Sequence, residues 1–210
     1  MPKDKIFKEK ILFVEGLTDK GFFDEILKFM GIYDVQVKAI GGKSKFKKEI
    51  PLYLSQERRR KIKKYALIRD ADNSENDAFE SCKNILLNLK DKNLSSAINE
   101  KTKISRDFYP GNPSIGIHIL KKPNRNNGML EDLLWKLIHP NIKKCIKEYL
   151  KCVNLDISIY KNYSKNKIFA FLAAQNKALG SIGVAAKKNI WDFNDGVFKP
   201  LKHFLKGFRD

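Results

Sequence analysis

The chain has 210 residues, of which 42 % are hydrophobic and 31 % are charged, an ordinary composition for a globular domain with a sizeable core. No window approaches 18 consecutive apolar residues, which argues against a membrane-spanning helix. The charged N-terminus lacks the apolar stretch of a secretory signal, so we expect a cytoplasmic protein with no membrane partner.

The positive charge of the chain has two interpretations. Lys and Arg number 42 against 24 Asp and Glu, a formal net charge of +18. A basic surface attracts the phosphate backbone of DNA or RNA. Most of the basic residues are Lys, and Asn is also abundant, a composition that an AT-rich genome produces without any functional reason. Since bidentate phosphate recognition favours Arg, the charge alone does not decide between the two.

Strand-like and helix-like patterns alternate along the first two thirds of the chain. Short apolar runs closed by Gly or Asp predict buried strands, and apolar residues spaced by three and four predict helices. Residues 91–113 show no clear pattern. The predicted strands are 11–14, 35–40, 65–68 and 114–120, and the predicted helices are 18–30, 44–57, 75–90, 129–138, 142–152, 165–176, 182–187 and 198–205.

This alternation predicts an α/β fold with a mainly parallel four-stranded sheet flanked by helices. Residues 1–125 would form the α/β core. Residues 126–210 would form a helical C-terminal extension packed on that core, so that the chain is a single compact unit. Right-handed crossovers place the carboxyl ends of all the parallel strands at one edge, where ligands of open α/β sheets bind.

Carboxylates and lysines follow the predicted strands at that edge. A cluster of carboxylates repels itself, a divalent cation relieves the repulsion, and a few hard oxygen ligands mixed with water suit Mg²⁺, with Mn²⁺ as a possible substitute. The candidate metal ligands are Glu15, Asp19, Asp70, Asp72, Glu131 and Asp132, and the nearby lysines are Lys43 and Lys121.

Asp70 and Asp72 are the strongest candidates, because residues two apart in an extended segment point the same way and can reach one ion. The triplet Asp-Ala-Asp also has a structural interpretation, since it can form a turn that caps the next helix. Glu131 and Asp132 likewise suit the first turn of a helix without any ligand.

Two nucleotide-binding motifs are absent. Gly42, Lys43 and Ser44 imitate the end of a P-loop, but Val37 occupies the position of its first Gly. No Gly-x-Gly-x-x-Gly dinucleotide fingerprint is present either. The three histidines are scattered, and the three cysteines have no zinc-site spacing, which favours a reduced protein without a structural metal.

The pattern resembles the Toprim domain of topoisomerases, bacterial primases and overcoming-lysogenization-defect (OLD) nucleases. In that family a Glu ends the first strand and an Asp-x-Asp ends the third; here these are Glu15, Asp70 and Asp72. Asp19 matches a frequent acid four residues after the Glu. The likeness covers about residues 9–122. Residues 128–133 and 185–191 look similar to segments of small stand-alone Toprim-like proteins with no established activity.

The resemblance implies a Toprim-like, Rossmann-like fold and Mg²⁺-dependent phosphodiester chemistry. Asp70 and Asp72 would hold the metal, and Glu15 would hold metal or act as general acid and base. As in OLD-type nucleases, Glu131 and Asp132 would complete a second metal site.

Lys43 or Lys121 would stabilise the charge that develops on the phosphorus centre. The chain lacks the additional domains of topoisomerases, primases and OLD proteins, so a small nuclease acting on DNA or RNA is the expected function. A partner ATPase or helicase is a further expectation.

Two alternatives stay open. In the first alternative, the protein is a non-catalytic nucleic-acid or nucleotide-binding module, in which the acids only assist phosphate binding. In the second, it is a phosphatase of the haloacid-dehalogenase type, although that class carries its Asp-x-Asp on the first strand, whereas here it follows the third.

Overall fold

A computed structural model describes residues 6–54, 61–89, 108–109, 111, 113–153 and 163–209. The strands are β1 (Lys10–Val14), β2 (Val35–Ala39), β3 (Lys64–Asp70), β4 (Phe108–Tyr109) and β5 (Ser114–Leu120). The α-helices in these residues are α1 (Leu17–Phe29), α2 (Phe46–Tyr53), α3 (Glu75–Leu87), α4 (Leu130–Leu137), α5 (Pro140–Cys152), α6 (Tyr163–Ala173), α7 (Ile182–Lys187) and α8 (Lys199–Lys206). Short 3-10 helices cover Lys43–Lys45 and Gly196–Phe198.

The strands form one sheet in the order β2-β1-β3-β5-β4. β2, β1, β3 and β5 run parallel, which confirms the predicted four-stranded parallel sheet. β4 is an addition to that prediction, since it pairs antiparallel with β5 at the sheet edge. With two residues it is too short to show any periodicity, and most of the segment 91–113 around it lies outside the described residues.

Both faces of the sheet are covered by helices, as parallel strands require. One core contains Leu12 and Ile68, together with buried side chains of α1, α4 and α6–α8. The other contains Phe13 and Leu67, together with buried side chains of α2 and α3. Because β1 and β3 are buried on both sides, their central residues form continuous apolar runs.

The predicted C-terminal helices agree with α4–α8 to within three residues at each end. The predicted helix 44–57 is shorter than expected: a 3-10 turn at Lys43–Lys45 precedes α2, and residues 55–57 lie outside the described part. Residue 90, the predicted end of the third helix, also lies outside it.

The C-terminal helices contact the α/β core through a close backbone approach between α1 and α7. A Cβ atom added at Gly183 would lie 2.8 Å from the Cα atom of Gly21, and one added at Gly21 would lie 3.0 Å from the Cα atom of Gly183. Only residues without a side chain allow the two helices to come this close.

The sheet also determines which groups meet at its carboxyl edge. β1 and β3 end there side by side, with β5 on the far side of β3. The N-termini of α1 and α4 lie at the same edge, since Asp70 at the end of β3 contacts the first residue of α4. No helix in the described ranges is long and apolar enough to cross a membrane.

We expect Gly183→Ala to lower the free energy of unfolding by about 1–3 kcal/mol, because the new methyl group forces the backbones of α1 and α7 apart. This loss opposes the ~1 kcal/mol gain that Ala brings to a helix. Gly180→Ala is the matched control, because a Cβ atom there meets nothing within 4 Å. Urea unfolding of the three proteins measures the difference; equal stabilities would contradict the close packing of α1 on α7.

Candidate active site

Four carboxylates meet where β1 and β3 end. Asp70 is the last residue of β3, and its Oδ1 accepts a hydrogen bond of 3.0 Å from the backbone N–H of Leu130 at the start of α4. Glu15 directly follows β1, and Asp19 and Glu131 lie in the first turns of α1 and α4. We call Glu15, Asp19, Asp70 and Glu131 the acid cluster.

Asp70 is the centre of the acid cluster in electrostatic terms. Burial raises the pKa of its carboxyl group well above the ordinary value for Asp, and the charges of Glu131, Glu15 and Asp19 raise it further. The N–H group of Leu130 opposes this effect but does not overcome it. The other three carboxylates therefore lie close enough to Asp70 to disfavour its ionisation.

Glu15 has a buried cationic partner. The Nε atom of Arg69 lies 3.3 Å from Oε1 of Glu15, and only 3 % of the Arg69 side chain is exposed. Ser81 accepts a second hydrogen bond of 3.0 Å from Nη1 of Arg69, which fixes the guanidinium against α3. The pKa of Glu15 is nevertheless raised, because the burial of the carboxyl group outweighs the attraction of Arg69.

Asp19 and Glu131 are also held by the helices that carry them. Oδ2 of Asp19 accepts a hydrogen bond of 2.8 Å from the N–H of Gly16 at the N-terminus of α1. Burial raises the pKa of both Asp19 and Glu131, while the positive charge of Lys165 on α6 lowers it. Glu131, only 6 % exposed, is almost completely enclosed.

The backbone at Asp72 is not the extended segment that the sequence predicted after Asp70. The φ angle of Asp72 is +51°, in the left-handed region. The backbone of Asp72 forms an antiparallel bridge with Gly128, with both N–H···O distances at 2.9 Å. Its Oδ2 atom pairs with Nζ of Lys43 at 2.6 Å. The two Asp side chains therefore do not project in parallel from one strand.

Asp132 caps α4, as the structural interpretation of the sequence allowed. Its Oδ2 accepts a hydrogen bond of 3.1 Å from the N–H of Met129, and its Oδ1 accepts one of 2.6 Å from the hydroxyl group of Ser164. Nζ of Lys122 lies 3.8 Å from Oδ2. Asp132 thus links the start of α4 to the start of α6.

The two lysines predicted to stabilise charge both pair with carboxylates outside the acid cluster. Lys43 pairs with Asp72, and Lys121 forms a short ion pair with Glu75 at the start of α3. Asp72, the partner of Lys43, lies near Glu15, since its negative charge contributes to the raised pKa of Glu15.

Sequence reasoning missed the contribution of α6. Ser164 and Lys165 act on Asp132, Asp19 and Glu131, although they lie more than thirty residues after α4 begins. No motif marks them, and the segment 154–162 that leads to them lies outside the described residues. Only the tertiary packing of α6 on α4 brings them to the site.

The chemistry of the acid cluster fits a divalent cation, although its side chains are not arranged around one. All its donor atoms are carboxylate oxygens, which Mg²⁺ and Mn²⁺ prefer, and a cation would relieve the repulsion centred on Asp70. Within the described ranges, no three Asp, Glu, His or Cys side chains form a ready metal-ligand set. Asp70 and Glu131 are the residues that would hold the ion, with Glu15 and Asp19 beside them.

We expect Asp70→Asn to stabilise the metal-free protein at pH 7 by about 1–3 kcal/mol, because it removes a buried charge that its neighbours repel. The raised pKa means that folding favours protonated Asp70. The stabilisation that protonated Asp70 gives the wild-type fold is full below the ordinary pKa of Asp and is lost as the pH rises through the raised pKa.

Unfolding in EDTA between pH 4 and 7 measures the difference. The advantage of the variant over the wild type should shrink as the pH falls and Asp70 becomes protonated. Glu148→Gln, which neutralises an exposed carboxylate on α5, should show no such trend. A variant less stable than the wild type at pH 7 would contradict the repulsion at the acid cluster.

The comparisons with known proteins give one family and one set of solved structures. The structures are of the C-terminal region of the Xanthomonas campestris pv. campestris OLD protein. Those phased with mercury and platinum are 13 % identical with TM-scores of 0.49, and cover 97 % of this chain and 98 % and 95 % of theirs. The one phased with iodine is 12 % identical, with a TM-score of 0.48 and 97 % of each chain covered.

No curated protein matches the sequence. Residues 9–210 match a family described as "Protein of unknown function (DUF3226)". Since this match spans almost the whole chain, including the sheet, the acid cluster and the C-terminal helices, the protein belongs to the DUF3226 family.

Proposed function

We propose that the protein is a metal-dependent phosphodiesterase acting on DNA or RNA, a small nuclease of Toprim type that uses Mg²⁺ or Mn²⁺. The observation that carries this proposal is the burial of Asp70 beside Glu15, Asp19 and Glu131 at the carboxyl edge of the sheet. Strongly perturbed carboxylates at the ligand-binding edge of an α/β sheet are typical of functional sites.

The roles of the carboxylates follow from their surroundings. Asp70 and Glu131 would hold the cation, with Glu15 and Asp19 beside them. A bound divalent cation supplies an activated water molecule and stabilises negative charge on the phosphoryl oxygens. The carboxylates of Asp72 and Asp132 already contact Lys43 and Ser164, so we place them at the margin of the site.

Glu15 is suited to proton transfer. Its raised pKa keeps it protonated over a wider pH range than an exposed Glu, so it can return a proton to the leaving oxygen. Arg69 orients this carboxyl group from the face of the sheet that carries α2 and α3. Arg69 is buried, and it acts on the substrate only through Glu15.

Lysines would neutralise the phosphate. Lys165 is the cation that acts on Asp19 and Glu131 within the cluster, while Lys43 lies at its margin and is paired with Asp72. Lys121 is further removed, because its partner is Glu75. A phosphodiester entering the site would give Lys43 and Lys165 a new anionic partner.

One observation favours a non-catalytic binding module as the second candidate. In the described part of the chain the donors are not arranged as a ligand set, and a module that only binds phosphate needs no such arrangement. The two candidates differ in turnover, which one experiment measures.

The experiment incubates the protein with supercoiled plasmid, single-stranded DNA and RNA in Mg²⁺ or Mn²⁺. We expect cleavage by the wild type, and a rate at least about 100-fold lower for Asp70→Asn and Glu131→Gln, because each removes a metal ligand. Because Asp70→Asn should also be the more stable protein, its loss of activity would not come from unfolding.

Glu9→Gln, which neutralises an exposed carboxylate directly before β1 at the opposite edge of the sheet, provides the control for lost negative charge and should cleave at the wild-type rate. Equal cleavage by all four proteins would refute the assignment of the site. Binding without cleavage of any substrate, in either metal, would favour the binding module instead.

A further inference from the structure

A group of lysines lies on one side of the molecule. α5 carries Lys143, Lys144, Lys147 and Lys151 against the single acid Glu148. It packs on α6, and α6 packs on α4, so that the three helices bring their lysines together. We call Lys136, Lys143 and Lys147 around Trp135 the lysine surface; Lys167 of α6 is buried against the same ring, with 9 % of the residue exposed.

The ammonium groups of two lysines lie over the indole ring of Trp135. Nζ of Lys167 lies 4.8 Å from the centre of the Trp135 ring and 4.9 Å from that of Tyr163. Nζ of Lys143 lies 6.0 Å from the Trp135 ring and donates a hydrogen bond of 3.0 Å to the carbonyl oxygen of Lys136 at the end of α4. The aromatic ring and the helix C-terminus thus hold the cations in place.

Three lysines of this region have no carboxylate partner in the described part of the chain. Among the described residues, Lys136, Lys143 and Lys147 form no ion pair, whereas Lys43 and Lys121 near the acid cluster do. The charges of Lys136 and Lys147 lower the pKa of Lys143, after the larger effect of its burial. Lysines that repel one another without a counterion are suited to an anionic partner.

The lysine surface lies next to residues that border the acid cluster. Trp135 lies one helical turn after Asp132 on α4, and Lys167 lies one turn after Ser164 on α6, so each pair shares a helix face. Asp132 and Ser164 are themselves hydrogen-bonded at 2.6 Å. Lys122, 3.8 Å from Asp132, extends the positive charge towards the acid cluster.

We propose that the lysine surface binds the phosphate backbone of a nucleic-acid strand and leads it into the acid cluster. This proposal rests on the proposed function for the identity of the substrate, but it concerns binding rather than cleavage. The partly exposed Trp135 ring would contact a base or sugar of the strand, as aromatic side chains do in basic grooves.

The test measures the binding of fluorescein-labelled single-stranded DNA, duplex DNA and single-stranded RNA by anisotropy, in EDTA and at several KCl concentrations. We expect the double variant Lys143→Gln/Lys147→Gln to bind at least about tenfold more weakly at low salt. The slope of log K against log[KCl] should fall by about 1.4–1.8, since each lost phosphate contact removes about 0.7–0.9.

The control is Lys187→Gln/Lys188→Gln, which removes the same charge from exposed residues at the end of α7. It should keep the wild-type affinity and slope. Equal losses of affinity in both double variants would show that only the net charge matters and would overturn the proposal. The absence of nucleic-acid binding by the wild type would also overturn it. Gln forms helices nearly as well as Lys, and matching melting temperatures would confirm that the variants fold.

This measurement is independent of turnover. A protein that binds through the lysine surface but never cleaves would retain this inference and lose the proposed nuclease function. A protein that cleaves, but whose binding ignores Lys143 and Lys147, would retain the function and lose this inference. The three oligonucleotides show which kind of strand the surface prefers.

Discussion

The structure depends on one unfavourable arrangement, a carboxylate buried at the end of a central strand. β3 lies between β1 and β5, so its last residue cannot reach solvent sideways, and α4 covers it from above through the N–H of Leu130. Burial and the neighbouring acids both oppose the ionisation of Asp70. A sequence selected for stability alone would not place an Asp here, which is why this position points to function.

Negative and positive charges are concentrated in two different regions of the molecule. Negative charge is concentrated in the acid cluster, which is enclosed by the first turns of α1 and α4 and by the buried guanidinium group of Arg69. Positive charge is spread over α5 and the exposed end of α4. A nucleic-acid strand has the charge to bind the second region, and its phosphodiester bond would then lie beside the first. Asp132 and Ser164 form the boundary between the two.

The sequence predicted the sheet well because its central strands β1 and β3 are buried on both faces and therefore appear as short apolar runs. The positions of Glu15 and Asp70 followed from the same reasoning, since the edge of a parallel sheet is defined by strand ends. The geometry of Asp72 did not follow, because its left-handed backbone depends on a bridge to Gly128, fifty-six residues away. Ser164 and Lys165 could not be predicted either, because only the packing of α6 on α4 brings them to the site.

A crystal of the wild-type protein grown with MnCl₂, with diffraction data collected at the manganese absorption edge, shows directly whether the acid cluster binds a metal ion. We expect an anomalous peak at coordination distance, about 2.0–2.3 Å, from carboxylate oxygens of Asp70 and Glu131, with Glu15 beside it. A peak only at Asp72 or at surface acids, or no peak with the acid cluster unchanged at saturating Mn²⁺, would contradict the assignment of a metal site to these residues.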